Sequence, residues 1–441
     1  MSKIVFGYDK IREDGDPIDN CIKYDFNGWK ICDTEEIILG MVQKVRHDYL
    51  VKSERQWVDL FVDTKLINEI ETNYIYVINV REFTAAIGME RFTGKSYGKS
   101  VFDFISEDVL LDCQKNKCKI LMNYGFEGFG KKVNDGDTIL NEILLERLHV
   151  LLDQHGIPQE NFIYMDSNNI LDTIKLNTKI NYFSFEYCGL DWYRYTTMHP
   201  SMNYHGNTYS RRKMKKWQKT KEKIRKKYFI SFNRLPKTHR LNLVLFLESK
   251  KFLEKGFVSF PKYDEFWNWN LTEEHKFYSS IESLKKKLPL EIDKVDLQEK
   301  KWSFELFNNN FYLDSYFQIV TENQCTSFED QLSFTEKVWK PITNLQPFIL
   351  LADRHQIKQL KKWGFKTFHP FIDESYDDVL DKNKRQDMIF EQIEKLCNKP
   401  IGEIHDWYWS IEPILKHNYY HFYGKWIKSQ RDKLLDRLDA N

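Results

Sequence analysis

The spacing of apolar and polar positions marks two successive runs of strands and helices. In the first half, IYVINV (75–80) and KILMNY (119–124) are apolar runs of strand length, and NFIYMDSN (161–168) is a third. ILNEILLERLHVLLDQHG (139–156) is apolar at helical spacing and ends in glycine, which predicts an amphipathic helix with a glycine stop. Strand, helix, strand order predicts a parallel sheet, because a crossover must return the chain to the same sheet end. In the second half, YFISF (228–232) reads as a strand and LNLVLFLES (241–249) as a helix with one apolar face. NRLPKTHR (233–240) then occupies a strand-to-helix turn. YFQIV (316–320) and PFILLA (347–352) have the fully apolar character of buried parallel strands. Between them Ser333 and Glu336 form an S-x-x-E capping box, which predicts a helix start, and Pro341 makes that helix short or kinked.

A chain of 441 residues exceeds what one hydrophobic core holds, so two domains are expected. The pattern divides into an α/β domain (1–210), a basic linker helix (211–227), a second α/β domain (228–390) and C-terminal helices (391–441). No apolar run approaches membrane-spanning length, and the charged start MSKIVFGYDKIRED lacks a signal-peptide core, which points to a cytoplasmic protein. Seven cysteines without a C-x-x-C pair read as reduced thiols rather than disulfides or a zinc site. Oligomeric state is not legible.

Glu322 and Asn323 follow one strand, and Thr335, Glu336 and Lys337 open the next helix. Acidic and basic groups therefore gather where open α/β sheets bind ligands. A lysine among free helix-start amides suggests that an anion shares the site. Arg234, Lys237 and Arg240 cluster at the other helix start, and an arginine fork suits phosphate. The same residues also fit a capped helix with a solvated lysine and a basic surface loop.

The order Glu-Asn after a strand, Thr-Glu-Lys at a helix start, then a Pro-Phe strand resembles the donor-site motif of the fucosyltransferase family. Residues 334–377, including GFKTFHPFIDESYD, are similar to a segment of glycosyltransferase-like proteins of bacteriophages and other large DNA viruses. The resemblance implies a GT-B fold, two Rossmann-like domains whose parallel sheets face a cleft. The 228–390 domain would bind the nucleotide-sugar donor and the 1–210 domain the acceptor side. By the same resemblance Glu336 would bind the ribose, Lys337 the diphosphate, and Glu322 and Asn323 the donor sugar. The family's phosphate-binding arginine falls on Arg234 or Arg240. Gln324 and the Pro-Phe pair depart from the family pattern, so the sugar stays open.

A sugar transfer with inversion needs a carboxylate to take the acceptor proton. Glu127, within GFEGFG after the KILMNY strand, is the candidate base, with Asp166, Glu186 and Asp191 as rivals. A solvated glutamate in a glycine turn fits Glu127 as well. Asp14-Gly15-Asp16 and Asp135-Gly136-Asp137 read as polar turns rather than metal-bound D-x-D motifs, so no metal is expected. No cofactor is expected beyond the nucleotide-diphosphate sugar itself.

Residues 211–227 hold eleven Lys or Arg and one acid, a net of +10 in a chain of net +1. Met214, Trp217, Ile224 and Tyr228 would give this helix an apolar stripe, leaving Arg211, Arg212, Lys213, Lys215, Lys216 and Lys219 on a basic face. The face is either solvated or tracks a polyanion. The phage resemblance suggests DNA carrying a hydroxymethylated base as acceptor, extruded to reach the donor. A glycan or small-molecule acceptor stays open. The second functional class is a non-catalytic nucleic-acid-binding protein.

Overall fold

The computed structural model describes residues 4–8, 63–79, 87–88, 100–124, 142–198, 211–262, 274–292, 310–327 and 332–439. They fall into two compact units, residues 1–191, 330–333 and 428–441 in one and 192–329 and 334–427 in the other. Each unit carries its own all-parallel sheet.

The first unit contains β1 (Val5–Tyr8), β2 (Asp63–Leu66), β3 (Tyr74–Asn79), α1 (Glu107–Gln114), β4 (Cys118–Tyr124), α2 (Glu142–Gln154), β5 (Phe162–Asp166), β6 (Asn181–Ser184) and the start of α3 (Tyr187–Met198). Strand order is β2-β1-β3-β4-β5-β6. The three strands the apolar runs predict, β3, β4 and β5, lie in its middle, where both faces are covered. Phe102, Val109, Ile120, Leu148, Leu152 and Phe162 are among the residues that close one core face over them. Helix α2 stops at Gly156 as its sequence predicts. Its φ of 63° is left-handed, and the following Ile157 N–H reaches back to the Leu152 carbonyl at 2.8 Å.

Polar groups at the ends of β5 and β6 hold this unit's edge. Asp166 accepts from the Tyr164 hydroxyl at 2.7 Å and the Asn168 amide at 2.8 Å. Asn168 Oδ1 in turn accepts from Leu332 N at 3.0 Å. Asp172 pairs with Lys433 at 2.5 Å, and Asn181 donates to the Arg437 carbonyl at 3.1 Å. Residues 428–441 thus complete the first unit. The tryptophan-rich stretch from Trp407 to Trp426 stays in the second.

The second unit contains α4 (Arg211–Gln218), β7 (Lys227–Phe232), α5 (Thr238–Ser249), β8 (Gly256–Ser259), α6 (Ile281–Lys287), α7 (Asn310–Leu313), β9 (Ser315–Thr321), α8 (Glu336–Thr343), β10 (Phe348–Leu351), α9 (Gln356–Lys362), α10 (Lys382–Cys397), α11 (Ile401–Ser410) and α12 (Glu412–His421). A π-helical turn, Phe422–Trp426, leads into α13 (Ile427–Asp439), most of which belongs to the first unit. Strand order is β10-β9-β7-β8, and every residue of β9 and β10 is buried. The chain steps from β7 outward to β8, then returns across β7 to β9, so the order reverses between β7 and β9.

Helix α5 is covered on nearly all sides, not on the single face its pattern suggests. Phe246 stacks on Phe390 of α10 with centroids 4.5 Å apart, and Glu248 pairs with Lys287 of α6 at 2.8 Å. Trp339 of α8 is fully buried against Trp426, Phe422 and Phe365, with ring centroids at 4.3, 5.5 and 5.7 Å. The acids of GFKTFHPFIDESYD build this unit. Asp377 accepts from the Ile357 and Lys358 amides at 3.0 and 2.9 Å, satisfying the start of α9. Glu374 accepts from Phe368 N at 2.7 Å and pairs with Lys361 at 2.9 Å. No helix among the described residues is long and apolar enough to cross a membrane.

The basic segment is not one helix. After α4 it tightens into a 3₁₀ turn at Lys219–Glu222 and then extends into β7. Ile224 is 55% exposed, so the expected apolar stripe ends at Trp217. Two of its cations point inward instead. Lys213 donates to the Thr343 carbonyl at 2.9 Å and to Asn344 Oδ1 at 2.6 Å, at the C-terminal end of α8. Arg225 donates to the Tyr312 carbonyl at 3.1 Å and lies over the Tyr408 ring at 4.0 Å.

Candidate functional site

The carboxyl ends of β7 and β9, where the strand order reverses, are the position at which open α/β sheets leave a ligand crevice. Asn233, just after β7, fixes this edge: its Oδ1 accepts from the Thr321 hydroxyl at 2.9 Å, and its amide donates to Ser259 Oγ at 3.1 Å. Three strand ends are thereby tied together.

Glu322 follows β9 and is 1% exposed. Its Oε2 accepts from the Thr335 hydroxyl at 2.5 Å and its Oε1 from the Thr335 amide at 3.3 Å. Thr335 is also the N-cap of α8, accepting from Lys337 N at 3.4 Å. The cap is therefore Thr335 and not the predicted Ser333. The buried carboxylate draws the Thr335 amide and hydroxyl to itself, and the helix begins one residue later. Burial raises the Glu322 carboxyl above its usual value, against the pull of Lys337 and the Thr335 donors.

Glu336 opens α8, with Lys337 Nζ at 3.3 Å and Lys340 Nζ at 3.8 Å from its carboxylate. Burial works against its ionisation, but these two lysines outweigh it and hold the carboxyl down at about 2. Burial lowers the Lys340 ammonium, which also sits over the Trp192 ring at 5.6 Å. Lys337 keeps a quarter of its side chain exposed and reaches Thr335 Oγ1 at 3.1 Å. A fixed anion, two cations and a capped helix start thus occupy one turn.

Across the crevice edge, Lys237 is the N-cap residue of α5, and its ammonium holds the Asn323 carbonyl at 2.8 Å. Arg240 is 3% exposed and donates to the Thr321 and Glu322 carbonyls at 3.3 and 3.1 Å. It braces the end of β9 from within. His239 Nε2 meets the same Glu322 carbonyl at 3.0 Å, so that nitrogen carries the proton. Burial first, then Arg240, pushes the imidazole down to about 3, and the ring stays neutral. Arg234 is exposed on the turn, the arginine of this pair open to a ligand.

Arg234, Lys237, Arg240, Glu322, Asn323, Thr335, Glu336 and Lys337 therefore lie on the two loops and helix starts that follow β7 and β9. Sequence reading missed four neighbours: Asn233, His239, Lys340 and Asp353. Asp353, just beyond β10, accepts from Thr326 N at 2.6 Å and Thr326 Oγ1 at 2.8 Å, and its buried Oδ2 has no partner among the described residues. Burial lifts its carboxyl to about 6. Only its place at the end of the PFILLA strand could have signalled it.

Glu127 and the Asp14, Asp16, Asp135 and Asp137 turns lie outside the described residues, as does the side chain of Asp191. Asp166 is held in the buried hydrogen bonds described above, and Glu186 is fully buried. Of the cationic set, the side chains of Arg211 and Arg212 lie outside the described residues, Lys213 is turned inward, and Lys215, Lys216 and Lys219 are exposed. No protein-family model matches the chain, and a search of curated proteins finds no significant match.

Proposed function

We propose that this protein is a glycosyltransferase of GT-B architecture that moves a sugar from a nucleotide-diphosphate sugar to an acceptor hydroxyl, with inversion and without a metal. One observation carries the reading: an ionised Glu336, two lysines and a capped helix start gather beside the strand-order reversal of a parallel sheet. A nucleoside diphosphate presents both chemistries such a site takes, ribose hydroxyls that donate to a carboxylate and phosphates that accept from cations and amides.

In this reading Glu336 accepts from the ribose, while Lys337, Arg234 and the first amides of α8 take the diphosphate. Glu322 is positioned by Thr335 and sets the floor under the sugar with Asn323. The acceptor oxygen attacks the anomeric carbon as a base, Glu127 in this proposal, takes its proton. The bond to the diphosphate breaks with its electron pair on the leaving oxygen, where the cations stabilise the new charge.

A thermal-shift panel of nucleoside diphosphates, followed by assays of sugar-nucleotide hydrolysis across donors, tests this. At least one diphosphate should raise the melting temperature, since a ligand that binds only the native state stabilises it. No shift from any nucleotide, with no donor hydrolysed, overturns the proposal.

A further inference from the structure

The donor site leaves the cationic segment at 211–227 without a role, and the fold sorts its charges into two groups. Lys213 and Arg225 are spent inside, on the end of α8 and on the residues before β9. Lys215, Lys216, Lys219, Lys221, Lys223 and Lys226 stay exposed. Three of them have nearby polar partners: Lys216 reaches Asn310 Oδ1 at 3.2 Å, Lys221 reaches Glu412 at 3.5 Å and Lys226 reaches Asp314 at 2.9 Å. Lys215, Lys219 and Lys223, spaced four residues apart, have none among the described residues.

Folding thus leaves these three ammonium groups without a partner among the described residues, in a segment whose own acid is Glu222 alone, and an anion laid along it would relieve their mutual repulsion. The apolar side of α4 is already taken. Trp217 is buried, and its indole N–H donates to the Tyr408 hydroxyl at 2.5 Å. A helix that binds in a lipid interface needs a free apolar face, and this one has spent its own inside the unit.

We infer that Lys215, Lys219 and Lys223, with Lys216 beside them, form a contact surface for the phosphate backbone of a nucleic acid. Lysine ammoniums on a band of this kind neutralise successive phosphates and release their counterions, with no reading of base sequence. The inference is independent of the donor-site reading, since neither the residues nor the measurement involves a sugar nucleotide.

The test is fluorescence anisotropy of the full chain with a mixed-sequence DNA duplex and the matching RNA, titrated across a salt series. Binding should weaken steeply with salt for at least one of the two. Lys215→Gln, Lys219→Gln and Lys223→Gln together should flatten the log–log slope by about 2 to 3, at about 0.9 for each duplex phosphate released. Lys428→Gln, an exposed lysine in α13, should leave the slope unchanged. The substituted side chains are exposed, so circular dichroism should match wild type. Salt-independent binding, an unchanged slope in the triple variant, or binding to anionic phosphatidylserine vesicles but to neither nucleic acid overturns the inference.

Discussion

Thr335 grips Glu322 twice, by its hydroxyl at 2.5 Å and its amide at 3.3 Å, while serving as the cap of α8. One side chain thereby sets both the orientation of a buried carboxylate and the first residue of a helix. Thr335→Ala should destabilise the fold by about 2 to 4 kcal/mol, combining a lost cap with a buried carboxylate short of a donor. Thr335→Ser keeps both roles and should stay within about 1 kcal/mol of wild type, the worth of one methyl. Urea denaturation measures both, and equal losses in the two variants would refute the double role.

Lys337 and Arg240 should separate binding from folding. Lys337→Ala should cost about 1.5 to 3 kcal/mol of nucleoside-diphosphate affinity, with a smaller loss of stability because Lys340 remains as a partner for the buried Glu336 carboxylate. Arg240→Ala leaves the Thr321 and Glu322 carbonyls unpaired and should lower stability first. Calorimetric titration beside denaturation reads the two effects, and an unchanged affinity in the Lys337 variant would remove it from the proposed donor site.

Glu127→Gln should cut turnover by about 10² to 10⁴ while donor affinity stays near wild type, as for loss of a general base. Steady-state kinetics with the donor found by the panel decides this, and near-normal turnover would shift the role to Asp191 or another acid.

Asp353 gives a pH signature. Burial lifts its carboxyl from the usual 3.8 to about 6, so between these values the native state binds more protons than the unfolded chain. Its contribution to stability therefore falls as pH rises through that window and is flat above about 6. Asp353→Asn lacks this dependence. Wild type should gain on the variant by up to about 3 kcal/mol when pH drops from 7 to 4, at about 1.4 kcal/mol per unit. Chemical denaturation across this range measures the difference, and a constant gap would show that the carboxyl titrates normally.

The apolar runs of β3, β4, β5, β9 and β10 were legible because these strands bury both faces, so apolar residues predominate along them. The four-residue strands β1, β2, β6 and β8 carry too few residues to show any period. The polar residues that follow β7 and β9 were legible as types at element ends, and the fold gathers them. What local pattern could not give was which polar neighbour wins. Ser333 carries the capping-box spacing to Glu336, and a carboxylate more than ten positions earlier holds the residue that caps instead, Thr335. Lys213 and Arg225 looked like their neighbours in a charge run, and only carbonyls distant in sequence turn them inward. The acids of GFKTFHPFIDESYD serve a helix start and loop amides, a role that charge alone does not announce.

The inward lysine has a practical consequence for dissecting the protein. Sequence pattern invites a fragment that begins at Tyr228, the first residue of an apolar run. Such a fragment would discard Lys213 from the Thr343 and Asn344 oxygens, Trp217 from beneath Trp409, and Arg225 from the Tyr408 ring. It would expose the tail of the very helix whose head carries Glu336 and Lys337. An autonomous version of this unit must therefore start upstream of α4, and limited proteolysis within 211–226 should loosen the start of α8 without cutting any residue in it.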